Sequence, residues 1–88
     1  MTGHQRDWPE WWEWELRISS HARRRMSRRH FNEADLRALL ADATGISPDV
    51  APGRWVAAAR RHGTDWEVVV EPDSLTGRLV VVTAYPLE

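Results

Sequence analysis

The stretch RWVAAARRHGTDWEVVVEPDSLTGRLVVVTAY, residues 54–85, decides the fold. Three apolar runs in it are separated by two clusters of turn-forming residues. From Arg54 to Arg61, Trp55, Ala57 and Ala59 alternate with Arg54 and Arg60, the period of two that marks a half-buried strand. Trp66 to Glu71 reads as a second, valine-rich strand, and Leu79 to Tyr85 as a third with valines on both faces. A strand apolar on both sides belongs inside a covered sheet or at a partner interface. His62-Gly63-Thr64-Asp65 and Pro72 to Gly77 carry the residues that turn a chain sharply. Connections this short make consecutive strands antiparallel, so the stretch reads as a three-strand meander.

Working back from it, Ile46 to Gly53 holds two prolines and an aspartate and reads as a loop. Before the loop lies a helix from Glu33 to about Thr44. Asn32 is a good N-cap with Asp35 three residues on, a variant of the capping box, and Phe31 and Leu36 are spaced as a hydrophobic staple. Leu36, Leu39, Leu40 and Ala43 form its apolar stripe, and Gly45 supplies a left-handed stop. A shorter helix, His21 to Arg29, is capped by Ser19-Ser20 and has only Ala22 and Met26 to bury. From Trp11, alternation puts Trp12, Trp14, Leu16 and Ile18 on one face of a first strand, with Glu13, Glu15 and Arg17 opposite. Residues 1–10 read as a mobile lead-in closed by Pro9. Residues 11–88 then form a single α+β domain: a strand, two short helices and the meander.

With 88 residues the chain builds one modest core. It has no cysteine, which excludes disulfides, thiolate metal sites and cysteine nucleophiles. No apolar run approaches the ~20 residues that cross a bilayer, and the first residues lack the apolar segment of a secretory signal. The expected address is the cytoplasm, with no membrane partner. The histidines at 4, 21, 30 and 62 show no metal-ligand spacing, so neither a metal nor another cofactor is expected. Of six tryptophans, Trp12 and Trp14 are expected in the core, while Trp8 and Trp11 are candidates for an outward protein-binding patch.

The formal net charge is −1, yet Arg23, Arg24, Arg25, Arg28 and Arg29 crowd into seven residues. All twelve basic residues are arginine, which forks onto phosphate or carboxylate where lysine offers a point charge. His21, Arg25 and Arg29, spaced i, i+4, i+8, fall within roughly 80° of one another on the first helix. They lie beside its Ala22/Met26 face, at the rim of the seam with the sheet. Like charges so spaced repel, a cost that suggests an anionic partner. The competing reading is a solvated face neutralised by Glu13, Glu15 or Glu33. Arg54, opening a strand after Gly53, could join the row, as could Thr83 and Tyr85, which point to one face of the last strand. Hydroxyls there can bind phosphate, and Tyr85 can exchange protons or stack on a base. Thr and Tyr are also ordinary strand residues.

The run H-x3-R-M-x2-R-x-F (His21, Arg25, Met26, Arg29, Phe31) resembles a family of short bacterial domains. So do E-x-D-L-R at Glu33 to Arg37, the pair Gly53-Arg54 and the terminal VVVTAY at 80–85. The similarity spans roughly residues 11 to 86. The family usually has a small residue, often Gly, where this chain has His30. It is grouped by fold with the RelE, BrnT and colicin-D type ribonuclease toxins, which implies a RelE- or barnase-like toxin fold and metal-independent endoribonuclease activity. On that implication His21 moves a proton, since imidazole exchanges protons near neutral pH. Arg25 and Arg29 stabilise the phosphorane, Tyr85 is the second proton-transfer group, and Arg24, Arg54 and Thr83 hold substrate. Two other readings stay open. The row could bind RNA or an acidic protein, such as a cognate antitoxin, without catalysis. The chain could also be an interaction domain that forms a homodimer through the Trp-rich first strand or a valine-rich edge.

Overall fold

Backbone pairing orders the chain as a five-strand sheet flanked by two helices. The computed structural model describes residues 8–87. The elements are a 3-10 turn at Glu10–Glu13, β1 (Glu15–Ile18), α1 (Ser20–Arg28), α2 (Glu33–Ala41), β2 (Gly45–Pro48), β3 (Trp55–Arg61), β4 (Thr64–Asp73) and β5 (Arg78–Pro86). The sheet order is β1-β5-β4-β3-β2. The three meander strands are antiparallel, as their short turns require, and β2 extends them antiparallel to β3. β1 pairs parallel to β5, Glu15 opposite Arg78 and Ile18 opposite Val81. The class is therefore α+β with a mixed sheet.

Three expectations are corrected. The segment read as a loop holds most of β2, because Gly45 to Pro48 finds a partner in Trp55 to Ala58 although Gly45 and Pro48 are disfavoured in strands. The first strand starts only at Glu15. Trp11 and Trp12 instead lie in the 3-10 turn, where Trp12 N–H donates to the Pro9 carbonyl. α2 ends at Ala41 rather than near Thr44, and Gly45 opens β2 instead of stopping the helix in a left-handed conformation.

The helix starts are as read. Ser19 Oγ accepts from Ala22 N–H at 3.0 Å. Asn32 and Asp35 form the reciprocal capping box, at 2.8 and 2.9 Å. α1 ends in a Schellman motif, with Phe31 N–H on the Met26 carbonyl and His30 N–H on that of Ser27, which places His30 at φ 54°.

One face of the sheet carries the core. Ala57, Ala59, Val68, Val70, Leu79, Val81 and Ala84 meet Ala22 and Met26 of α1 and Leu36, Leu39 and Leu40 of α2. Strict alternation would set Val81 and Ala84 on opposite faces. A bulge prevents this: the register passes from Val69–Thr83 to Val70–Val81, leaving Val82 without an opposite residue. The same bulge puts Thr83 and Tyr85 on the other face, opposite Val69 and Glu67. All the tryptophans from Trp8 onward pack partly buried against the core; Trp8 meets Trp12 edge-on at 4.5 Å and Trp11 meets Trp55 at 5.5 Å. Trp8 and Trp11, expected as an outward patch, and Trp12 and Trp14, expected in the core, are thus alike half-buried at the core's edge. The expected lead-in of residues 1–10 falls mostly on residues 1–7, outside the described ones. Among the described residues no helix is long and apolar enough to cross a membrane.

Candidate functional site

β1 is less than half the length of the strand it pairs with, and this shapes the site. Its pairing stops at Ile18–Val81. Ser19 then ties the chain to the next residues of β5, its N–H donating to the Val81 carbonyl at 3.1 Å and its Oγ to that of Val82 at 3.0 Å. α1 begins there and packs against β5. The cationic helix is therefore anchored beside the strand that carries Thr83 and Tyr85.

On α1, Ala22 and Met26 are buried, Arg25 is half-buried, and His21, Arg24 and Arg29 are exposed. This is the rim position that the i, i+4, i+8 spacing implies. Among the described residues six arginines have carboxylate partners: Arg23 and Arg37 with Glu33 at 3.7 and 3.0 Å, Arg54 with Glu71 at 3.0 Å, Arg60 with Asp65 at 2.8 Å, Arg61 with Asp35 at 3.7 Å and Arg78 with Glu15 at 3.8 Å. Arg24, Arg25, Arg28 and Arg29 have none among those residues. Glu33, one of the expected neutralisers, serves Arg23 and Arg37, and Glu15 serves Arg78; the central charges of the row stay uncompensated.

Tyr85 is half-buried across from Glu67, and its hydroxyl donates to Glu67 Oε1 at 2.7 Å. That hydrogen bond to the carboxylate, together with burial, holds the phenol above its ordinary value near 10; the charges of Glu67 and Asp49 add to the rise, and Arg25 opposes it. Arg25 is the smallest of these influences and the one that reaches Tyr85 from the first helix. Arg54 is already engaged by Glu71 and sits on the neighbouring pair of strands. Thr83 does not form a hydroxyl pair with Tyr85. Its Oγ1 is closed off from solvent and has no hydrogen-bond partner among the described residues. Among the described residues, no group of three or more His, Asp or Glu is placed to hold a metal.

Sequence reading missed Glu67. Its signal was present, a carboxylate set between Trp66 and the valines of WEVVV. Joining it to Tyr85 requires the β4–β5 register, which the bulge at Val82 shifts by one residue.

A model of a protein family, the domain of unknown function DUF4258, matches residues 18–86, and the chain belongs to that family. The match begins at the end of β1 and takes in both helices and all the remaining strands. No curated protein and no solved structure matches the chain.

Proposed function

We propose that this DUF4258 chain is a toxin-like, metal-independent endoribonuclease that grips an RNA phosphate at the seam between α1 and β5. One observation carries the reading: α1 is anchored against β5 with Arg25 and Arg29 lacking a carboxylate partner among the described residues. Uncompensated guanidinium groups suit a pentavalent phosphorane, where fixed charge lowers the barrier most. His21, in the first turn of α1, takes the 2′-hydroxyl proton. Tyr85, kept protonated by its bond to Glu67, supplies a proton to the departing 5′-oxygen. Arg25 and Arg29 hold the phosphoryl oxygens, with exposed Arg24 on the approaching backbone. The helix motif's resemblance to a family grouped by fold with RelE-type toxins points, at second hand, to the same chemistry with RNA as substrate.

The test is cleavage of RNA in EDTA by wild type, His21→Ala and Arg25→Ala. Loss of at least a hundredfold in both variants is expected, the scale typical of a general base or a charge stabiliser. Equal rates in wild type and His21→Ala would remove His21 and, with it, the mechanism.

A second reading is favoured by one feature. His21 is exposed, and no hydrogen bond orients its ring among the described residues, whereas a catalytic base is normally held by a further group. The row would then bind RNA, or an acidic protein partner, without cutting. Salt-sensitive RNA binding with no product under excess protein would establish that alternative.

A further inference from the structure

We propose that the hollow between the end of α1 and the β3–β4 hairpin is a nucleobase subsite, taking one unpaired base of single-stranded RNA together with its phosphate. The inference rests on RNA being the ligand, as read above, and names where a base is held.

Two non-glycine residues among those described have positive φ, His30 at 54° and His62 at 52°, and both line this one hollow. Each sits where the backbone favours a residue without a branched or bulky side chain. His30 fills the left-handed position of the Schellman motif, a place for Gly. His62 precedes Gly63, φ 78°, in the two-residue turn joining Arg61 to Thr64, a place for Asn or Gly. Two independent local motifs thus accept strain to put imidazoles at one opening.

Phe31 and Trp66 line the same hollow, stacked 4.6 Å apart at 22° and both only half-buried. A base laid on this pair continues a stack that already exists, and aromatic stacking is how proteins hold splayed RNA bases. Arg61 borders the same space, three-quarters buried and 3.7 Å from Asp35, and can fork onto a phosphate. The hollow measures about 640 Å³, within the range of small-ligand sites. A second hollow of about 480 Å³ shares His30 and Phe31 and runs back along α1 past Ser27 and Arg23. That second hollow follows the Arg23/Ser27 flank of α1, on the other side of the buried Ala22/Met26 face from Arg25, so Arg61 is the cation at hand for the nucleotide's own phosphate.

The probes are the four ribonucleoside 5′-monophosphates and ribose 5-phosphate, titrated into the full chain while the Trp66 indole N–H is followed by NMR. The nucleotides are expected to move that signal and ribose 5-phosphate to leave it in place. His62→Asn, which suits the turn, is expected to weaken nucleotide binding about tenfold, the scale of one stacked base, and to raise the melting temperature. An equal shift with ribose 5-phosphate overturns the proposal, and so does unchanged affinity or a lowered melting temperature in His62→Asn. Protein that moves Trp66 with nucleotides yet cuts no RNA refutes the nuclease reading alone. Protein that cuts RNA while Trp66 stays still refutes the subsite alone.

Discussion

α1 and α2 each span nine residues and follow one another in the chain, yet they dispose of their charges in opposite ways. α2 places Glu33 and Asp35 in its first turn, where the helix dipole favours acids, and gives both to arginines: Glu33 to Arg37 and Arg23, Asp35 to Arg61. It buries three leucines. α1 contains no acid, buries one alanine and one methionine, and leaves three of its four arginines, with Arg29 just beyond, unpaired among the described residues. Arg25 and Arg28 gain a little from the C-terminal dipole, but like charges three and four apart lose a comparable few tenths of a kcal/mol, about 0.2–0.5 per pair. The difference teaches that α2 spends its charges and its leucines on the fold, whereas α1 is held by the fold with most of its charges turned to solvent.

The strongest test of that contrast lies in the core. Leu36→Ala, at a site with no exposure, is expected to cost about 3–4 kcal/mol, against about 2 kcal/mol for Met26→Ala at the low end of the same range. Urea unfolding measures both, and equal losses would erase the asymmetry. Next come the arginines. Arg25→Ala with Arg29→Ala should weaken binding of short RNA several-fold at low salt. The log–log salt slope should become shallower by about 0.7 for each phosphate no longer neutralised, with stability unchanged or raised. Arg37→Ala, its counterpart on α2, should leave RNA binding alone. If Arg37→Ala weakens binding as much, α1 holds no special place.

The caps sharpen the comparison at smaller scale. Asn32→Ala removes half of the capping box and should cost about 1 kcal/mol, lowering the melting temperature by roughly 4–8 °C in a domain of this size. Calorimetry should find a smaller loss for Asn32→Gly. The smallest effect concerns Tyr85. Its pKa is raised in the folded state, so the stabilisation from its bond to Glu67 is complete below the ordinary phenol value near 10 and fades as pH climbs through the folded value. The stability difference between wild type and Tyr85→Phe should therefore be constant from pH 7 to 9 and shrink above 10. A difference growing with alkaline pH contradicts the assignment.

What could be read from sequence was local. The Asn32–Asp35 box, the Ser19 cap and the turns at His62-Gly63 and Pro72 to Gly77 depend on residues a few positions apart, and the helix row lies at the rim that its spacing dictates. What escaped was decided by distant partners. Gly45 to Pro48 becomes a strand only because β3 offers an edge. Trp11 and Trp12 leave strand geometry for a 3-10 turn that lets Trp11 reach Trp55. Glu67 joins Tyr85 through a register that a single extra residue, Val82, resets. The alternation of each strand fixed its faces, but not which carboxylate would meet which hydroxyl.

The parallel pairing of β1 with β5 also sets an order of events during synthesis. Glu15 waits for Arg78, 63 positions later, and at ordinary translation rates of about 5–20 residues per second that is an interval of roughly 3–13 s. Until β5 is made, the seam that seats α1 does not exist, so the arginine-bearing segment stays unanchored on the nascent chain. The assembled edge therefore exists only once the ribosome has made the chain through β5.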